Sequence, residues 1–218
     1  MKDKPRAVRM EALDSEPDGR RYSPSAGRNR QEIVEALTLE LPVRGDCLEV
    51  AAGTGEHAVL AASKLPGWTW LPTDRDAEAL ASARAWVAKA DLPNLRAPAE
   101  LDLGADKSWP CARASLDAVF ASNVMHISPM ATTESLFRGA AVHLRASGVL
   151  LVYGAVFLPG EPRPDGNVAF DVELREQDPE YGVRTLTQLA ELAVASGLRE
   201  PVVRRMQNNN VLLRFAVT

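Results

Sequence analysis

The segment from Cys47 to Ala58 constrains the fold of this chain more than any other. Apolar residues lead to the carboxylate Glu49, a turn of small residues follows, and an alanine-rich stretch comes next. This order predicts a strand, a tight loop and the N-terminus of a helix, the place where an open α/β sheet holds a nucleotide-like ligand. Gly53 and Gly55 allow the backbone to approach that ligand closely, since they have no Cβ.

Strands and helices alternate through the first three quarters of the chain. Ile33 and Leu37 lie at helical spacing and predict a first helix that closes at Pro42, after a polar, turn-rich stretch over residues 22–30. After the first strand, strands are predicted over residues 68–74, 95–103, 116–122 and 149–157. Helices are predicted over 57–64, after the N-cap Asp76, and from Ser128-Pro129 to Gly148. This alternation predicts right-handed crossovers and a parallel sheet.

The pattern changes after residue 157. Residues 159–184 are rich in proline, glycine and charge, which predicts a functional loop or lid that covers the substrate. Thr185 and Gln188 form a capping box for a last helix. Two strands follow, over 202–206 and 211–217, and the asparagines 208–210 lie in the short turn between them. So short a turn requires an antiparallel pair.

These elements together predict a Rossmann-like α/β fold. We expect a mostly parallel seven-stranded sheet with an antiparallel C-terminal hairpin and with helices on both faces. One domain is expected over residues 22–218, since 218 residues suffice for a single α/β core. Residues 1–21 are charged, contain Pro5, Pro17 and Gly19, and show no periodicity, so we expect a flexible arm there.

Composition narrows the class of partner. The formal net charge is −4 and no long basic run is present, which argues against nucleic acid. No apolar stretch is long enough to cross a membrane, and the charged N-terminus lacks the apolar core of a signal peptide, so we expect a cytoplasmic protein. Cys47 and Cys111 are isolated, which indicates reduced thiols and no metal site.

Two ligands compete for the glycine loop. The loop satisfies the dinucleotide fingerprint, with Asp74 at about the right distance downstream. Glu49 favours S-adenosylmethionine, because a carboxylate there repels a pyrophosphate and attracts a cationic amino group or sulfonium. The order acidic-x-small-x-Gly-x-Gly also resembles motif I of class I methyltransferases, with Ala51 in place of the usual first glycine. The antiparallel hairpin is how the sheet of those proteins ends.

If the ligand is S-adenosylmethionine, later strand ends supply further contacts. Asp74 would accept hydrogen bonds from both ribose hydroxyls, or alternatively cap the next helix, for which Asp76 is better placed. Asp102 would accept from the adenine amino group and Leu103 would donate a backbone N–H, unless Asp102 is simply a loop carboxylate. Asn123 would hold the ligand with its amide. The remaining cofactor candidates are Ala51, Gly53, Thr54, Gly55, His57, Arg75 and Met125.

His126 and Tyr153 are the candidates for catalysis. His126 follows the fourth strand and could act as a general base or orient the nucleophile, although a lone histidine can equally be structural. Tyr153 would need a neighbouring base to remove a proton. Methyl transfer is an in-line displacement that mainly requires alignment and exclusion of water, and it needs no metal ion.

The chain resembles the methyltransferase-like protein 26 family of small class I methyltransferase-like proteins. The resemblance runs from about Tyr22 to the C-terminus and is carried by residues 23–29, 48–58, 72–74, 123–129, 153–154, 167–171, 178–184 and 206–210. The chain departs from the family pattern at Met130, Ala155, Tyr181, Thr185, Gln207 and Asn208. The resemblance implies binding of S-adenosylmethionine, with S-adenosylhomocysteine as product. It supplies no proven catalytic residue, and it leaves the substrate open.

Outside the cofactor loops, the residues that fit the family cluster in three segments, 22–29, 159–184 and 206–210. We expect these segments to converge over the sulfonium and to build the acceptor pocket. The candidate substrate-binding residues are Tyr22, Arg28, Asn29, His126, Asn167, Asp171, Arg184, Asn209 and Asn210. The alternative is that their polar groups only pin loops through bonds to the backbone.

The sequence therefore predicts methyl transfer to a small polar molecule by a monomer or homodimer. Two alternatives stay open. One is a nicotinamide-dependent oxidoreductase, and the other is a non-catalytic module that binds S-adenosylmethionine or S-adenosylhomocysteine.

Overall fold

The computed structural model describes residues 13–104 and 109–218. Its strands are β1 (Asp14–Ser15), β2 (Arg21–Tyr22), β3 (Gly45–Val50), β4 (Trp68–Asp74), β5 (Ala99–Glu100), β6 (Leu116–Ser122), β7 (Leu144–Phe157), β8 (Arg184–Thr185), β9 (Val202–Arg205) and β10 (Asn210–Ala216). Its α-helices are α1 (Pro24–Glu40), α2 (Glu56–Lys64), α3 (Ala77–Ala90), α4 (Met130–His143), α5 (Asp165–Gln177) and α6 (Leu186–Ala195). No helix in this part of the chain is long and apolar enough to cross a bilayer.

Seven strands form the main sheet in the order β5-β4-β3-β6-β7-β10-β9. The pairs from β5 to β7 are parallel, and β10 is antiparallel to both of its neighbours. The short strand β8 pairs with the end of β7. This topology confirms the predicted fold class. The order reverses between β3 and β6, so the carboxyl ends of these two strands flank the crevice where an open α/β sheet binds its ligand.

Helices cover both faces of the sheet. On one face α4 and α6 bury Phe137 and Leu189 against β6, β7 and β10. On the other face α1 and α2 bury Ile33 and Ala61 over β3 and β4. Side chains of β7 alternate between the two clusters, because successive residues of a strand point to opposite faces. The crevice therefore stands on a core that is packed from both sides.

Short-range signals predicted three features correctly. Asp76 caps α3, and its carboxylate accepts from the backbone N–H of Glu78 and Ala79 at 2.8 Å. The capping box at the start of α6 has both of its hydrogen bonds. In the turn before β10, Asn208 and Asn209 have φ of 54° and 57°, the left-handed conformation that asparagine tolerates.

Several predicted boundaries were wrong. Helix α1 begins at Pro24 behind the N-cap Ser23, so the stretch over 22–30 is mostly helical. Ser128 is not a cap, because its hydroxyl donates to the carbonyl of Val124, and α4 begins only after Pro129. Helix α4 ends at His143, and Gly148 lies inside β7. The third predicted strand is reduced to the two residues of β5.

The terminal arm and the predicted loop also differ from expectation. Strands β1 and β2 form a hairpin that packs on α3, where the indole of Trp86 donates to the Arg21 carbonyl at 2.8 Å and Ser82 accepts from the Arg21 N–H. Residues 13–21 are thus folded, and residues 1–12 of the predicted arm lie outside the described residues. The segment 159–184 contains the 13-residue helix α5 in place of an open loop.

Candidate functional site

The loop between β3 and α2 has three residues with positive φ: Ala51 at 52°, Gly53 at 56° and Gly55 at 94°. The two glycines serve different purposes. A Cβ on Gly55 would lie 2.8 Å from the Cα of Ala83 in α3, so this glycine permits the close packing of two helices. A Cβ on Gly53 would meet no described atom within 4 Å, so this glycine faces open space. The open face of Gly53 is where a ligand can approach the backbone.

Asp74 ends β4 beside this loop. Its Oδ2 accepts from the Gly53 N–H at 2.9 Å, and its Oδ1 accepts from the Asp76 N–H at 2.9 Å. Burial raises the pKa of Asp74, and these backbone donors oppose the rise. The alternative that Asp74 caps α3 is wrong, since Asp76 does so. The backbone N–H of Arg75 is a third donor to this carboxylate, so about one of its four acceptor sites remains for a ligand hydroxyl.

Glu49 lies in β3 and is 1% exposed. Its carboxyl accepts from the indole N–H of Trp70 at 2.6 Å. Burial raises its pKa to about 8, with the charge of Asp74 adding to the rise. The expectation of a standing negative charge under the glycine turn is therefore wrong at pH 7, because a carboxyl out of contact with water holds its proton. Glu49 becomes an anion only above this pKa or beside a cation.

A row of polar side chains crosses the same face of the sheet from α2 to β10. Burial lowers the pKa of His57 to about 4, so the ring is neutral at pH 7 and its Nε2 donates to Oδ1 of Asn29 at 2.9 Å. Asn29 and Asn210 both hydrogen-bond the Tyr153 hydroxyl. Burial raises the pKa of Tyr153 to about 12, so this hydroxyl stays protonated. Among the described residues the hydrogen-bonding neighbours of Tyr153 are these two amides, and Glu32 acts on it through its charge, which adds to the rise in pKa.

His126 is buried beside β7. Its Cε1 lies 3.2 Å from the position that a Cβ would occupy if Gly154 had one. The imidazole ring packs edge to face against the ring of Phe170. Burial lowers the pKa of His126 to about 4, and the charge of Arg184 lowers it further. Asn123 lies beside the same glycine, with its Oδ1 3.5 Å from that Cβ position. The structure thus brings His126 and Asn123 together at the carboxyl ends of β6 and β7, with the imidazole neutral.

Four predicted substrate residues bond to the backbone. Arg184 donates from Nε to the Met125 carbonyl at 3.1 Å and from one terminal nitrogen to the carbonyls of Ser128 and Glu180. Asp171 accepts from the Val183 N–H at 2.7 Å. The amides of Asn167 and Asn210 donate to the carbonyls of Asn209 and Gln207. These contacts fit the alternative interpretation, in which the polar groups hold loops in place.

The other predicted residues differ in their surroundings. Met125 is 2% exposed and packs in the core, so its side chain does not face a ligand. Leu103 packs against the same core, and Asp102 accepts from the Gly104 N–H beyond β5. Tyr22 packs edge to face on Trp86. Arg28, Arg75 and Asn209 are exposed.

Glu56, which no sequence pattern singled out, is 3% exposed at the start of α2. Its carboxylate accepts from the Ser23 N–H at 2.7 Å, from Arg30 at 2.8 Å and from the Thr54 hydroxyl at 3.0 Å. It therefore joins the start of α1 to the glycine loop. The N-cap and proline at Ser23-Pro24 were the available signal that a helix begins at this point.

The orphaned hydroxyl of Ser122 is a further feature of the crevice. Ser122 ends β6, and its buried Oγ has no hydrogen-bond partner among the described residues. Buried polar atoms are usually bonded, so this one has acceptor and donor capacity to spare for a ligand. No group of three or more His, Cys, Asp or Glu side chains in the described ranges is arranged to hold a metal ion.

Known proteins share this fold. An O-methyltransferase family protein from Burkholderia thailandensis superposes with a TM-score of 0.75 at 18% identity, over 89% of this chain and 57% of that one. Human N-acetylserotonin methyltransferase in complex with SAM gives 0.70 at 17%, over 88% and 52%. The mitomycin 7-O-methyltransferase MmcR gives 0.74 at 16%, over 90% and 55%. The chain spans a little over half the length of these structures, and at such identities the likeness establishes the fold alone.

A family model supplies the closer relationship. The model described as "Protein of unknown function (DUF938)" matches residues 20–217. The match includes the glycine loop, the strand ends that flank the crevice and the C-terminal hairpin. The chain therefore belongs to the DUF938 family.

Proposed function

We propose that the protein is an S-adenosylmethionine-dependent methyltransferase that acts on a small polar acceptor. The observation that carries this proposal is the pair of buried carboxyls, Glu49 and Asp74, on either side of a glycine loop with an open face. A cationic donor forms an ion pair with the charge that Glu49 acquires beside it, whereas a diphosphate leaves Glu49 protonated and gains no such pair. This arrangement favours S-adenosylmethionine over a nicotinamide dinucleotide.

The residues of the crevice fit such a ligand. Asp74 keeps an acceptor site for a ribose hydroxyl, and the Ser122 hydroxyl has no partner among the described residues. Asp102 and Leu103 follow β5, the strand that pairs with β4, and are the residues that we propose for the adenine ring. When bound, S-adenosylmethionine supplies a methyl carbon already activated by positive sulfur. The chain's own part is to align the acceptor and to exclude water.

The acceptor side of the site is formed by His126, Asn123 and the segment 159–184. His126 is neutral at pH 7 and can orient a nucleophile through its ring nitrogens, but its lowered pKa makes it a weak base. We propose that the segment 159–184, with α5 at its centre, covers the acceptor. Arg184 and Asp171 hold this cover in place through their bonds to the backbone.

Ligand binding to matched glycine variants tests the proposal. Gly53 and Gly197 both have positive φ and open space where a Cβ would lie among the described residues, but only Gly53 faces the crevice. We expect Gly53→Ala and Gly197→Ala to lose similar stability, about 1 kcal/mol each. In isothermal titration calorimetry only Gly53→Ala should weaken S-adenosylmethionine binding, by tenfold or more.

Thermal shift with S-adenosylmethionine, S-adenosylhomocysteine, NAD and NADP tests the class of ligand. Stabilisation by the nicotinamides alone would overturn the proposal. Mass spectrometry of cell extract incubated with the protein and a deuterated methyl donor then tests turnover. Tight S-adenosylhomocysteine binding without any labelled product would support the non-catalytic module instead.

A further inference from the structure

A cavity of about 140 Å³ lies between the start of the segment 159–184 and the turn from β9 to β10. Its floor is formed by Val156 and Val211, each 3% exposed. Leu158 and Met206 form half-buried walls. The innermost part of the cavity is therefore apolar, and polar groups make up much of the rest of its lining.

Polar groups stand at the rim of this cavity. Glu161 and Arg205 line it and form an ion pair with each other, with 42% and 67% of their side chains exposed. Asn209 and Asn210 line the end nearest the start of β10. A ligand with an apolar body and one polar group fits this distribution, because the body can be buried while the polar group reaches an amide.

The cavity adjoins the proposed site of methyl transfer. Val211 pairs with Gly154 in the antiparallel ladder of β7 and β10, and directly opposed residues of such a ladder are about 5 Å apart at Cα. The ring of His126 occupies the space beside the same glycine. Asn210, which lines the cavity, also bonds to the Tyr153 hydroxyl. The floor of the cavity and the imidazole are therefore neighbours across a single glycine.

The volume of the cavity limits the size of the acceptor. An engineered apolar cavity of about 150 Å³ in another protein binds benzene. A volume of about 140 Å³ therefore accommodates one six-membered ring, and the second ring of a fused system would extend beyond it. The acceptor body is a single ring or its equivalent in volume.

The titratable groups around the cavity limit the kind of nucleophile that can react there. Tyr153 stays protonated and His126 is a weak base, since burial raises the pKa of the first to about 12 and lowers that of the second to about 4. Among the lining residues only Glu161 and Arg205 are charged, and they pair at the rim. The acceptor must therefore bring its own acidity. A phenol, with a pKa of about 10, ionises far more readily than an aliphatic alcohol.

We infer that this cavity is the acceptor site of the methyltransferase and that its acceptor is a phenol of a single ring. This inference rests on the proposed function. The phenol oxygen forms the new bond to the methyl carbon while the carbon–sulfur bond breaks, and the bonding pair stays on sulfur. The phenolic proton leaves to water through the open rim, and the products are an aryl methyl ether and the neutral thioether.

Binding of 4-fluorophenol to the full chain, followed by fluorine NMR without any methyl donor, tests the site. We expect line broadening with the wild type that Leu158→Trp abolishes, because the indole fills the cavity. Val194→Trp is the matched control, since Val194 is 59% exposed on α6 and does not line the cavity. Broadening that persists in Leu158→Trp would place the phenol elsewhere and overturn the inference.

Transfer of a deuterated methyl group tests the acceptor class. The wild type should methylate phenol at least tenfold faster than cyclohexanol, which has the same size without the acidity. Leu158→Ala enlarges the cavity and should raise the rate with 2-naphthol at least tenfold, so the test does not depend on the folding of Leu158→Trp. Equal rates with phenol and cyclohexanol, or no gain with 2-naphthol, would contradict the inference.

Calorimetry with S-adenosylmethionine separates the two proposals. If the donor binds and phenol neither binds nor reacts, the acceptor assignment fails and the proposed function stands. If the donor itself does not bind, the proposed function fails, and the acceptor assignment fails with it.

Discussion

Glu49 shows how burial changes the meaning of a charged residue in a sequence. Its place before the glycine loop indicated an anion that attracts a cationic donor. In the folded chain the carboxyl is buried and accepts a hydrogen bond from the indole of Trp70, and burial raises its pKa to about 8. At pH 7 the ligand-free protein therefore holds a neutral acid, and the attraction for a cation develops together with the loss of a proton.

Proton release on ligand binding follows from this coupling. A cationic donor beside Glu49 should lower its pKa, so that binding at pH 7 releases close to one proton and the affinity rises with pH up to about 8. Calorimetry in two buffers of different ionisation enthalpy measures this release. Glu49→Gln keeps an acceptor for the Trp70 indole and should remove both the release and the pH dependence. A release of the same size in the variant would assign the proton to another group.

Tyr153→Phe tests whether this hydroxyl takes part in catalysis. Because the pKa of Tyr153 is about 12 and its partners are the amides of Asn29 and Asn210, we expect the shape of the pH profile of kcat/KM to remain unchanged. The variant should lose about 1 kcal/mol of unfolding free energy with the hydrogen bonds. If the pH profile of the variant lacks its acidic or its alkaline limb, Tyr153 acts as an acid or base in the reaction.

The sequence could predict site residues only where position alone determines the role. Asp74 ends a parallel strand beside a glycine loop, and that place in the topology brings its carboxylate to the crevice. Asn167 and Arg184 offered only their residue type, and a polar side chain can serve a ligand or a carbonyl equally well. Glu56 gave no local signal of its contacts with Ser23 and Arg30, since these depend on how α1 packs on α2.

Elements were predictable to the extent that their signals are local. Two serine-proline dipeptides show the limit. Ser23 caps α1, whereas the Ser128 hydroxyl turns back to the Val124 carbonyl. The dipeptides are the same, and only the turn that precedes Ser128 decides between a cap and a backbone bond. Helix α5 was missed because prolines and glycines surround it and only one of its apolar residues, Leu174, is buried.

The segment that contains β8 should depend on Arg184 for its position. Arg184→Ala removes three bonds to carbonyls, two of them on the buried residues Met125 and Ser128, and we expect a loss of about 2–3 kcal/mol in unfolding free energy. Hydrogen exchange of residues 178–184 should become faster. Arg175→Ala is the matched control, because it removes an exposed ion pair with Asp171 that is worth about 0.5 kcal/mol. Equal losses in the two variants would contradict an anchoring role.

Across the whole molecule, three buried groups oppose one another in their response to pH. His57 and His126 have pKa values lowered to about 4 by burial, from 6.5. The stability that these two neutral histidines contribute is lost as the pH falls from 6.5 to about 4, because unfolding then takes up protons. Glu49 acts in the other direction. Its pKa is raised from 4.5 to about 8, so its contribution is present below 4.5 and is lost as pH rises through about 8.

The balance of these groups places the stability maximum near pH 6.5. Between pH 4.5 and 6.5 the two histidines change the stability more than the one carboxyl does. The free energy of unfolding therefore rises by up to about 1.4 kcal/mol per pH unit. Between pH 6.5 and 8, Glu49 is the one of these three groups that titrates differently in the folded and unfolded states, and its contribution to stability falls at a similar rate. Urea unfolding at half-unit steps from pH 5 to 9 measures the curve. In Glu49→Gln the fall above 6.5 should become a plateau, and a fall that survives the substitution would mean that another buried acid controls the alkaline side.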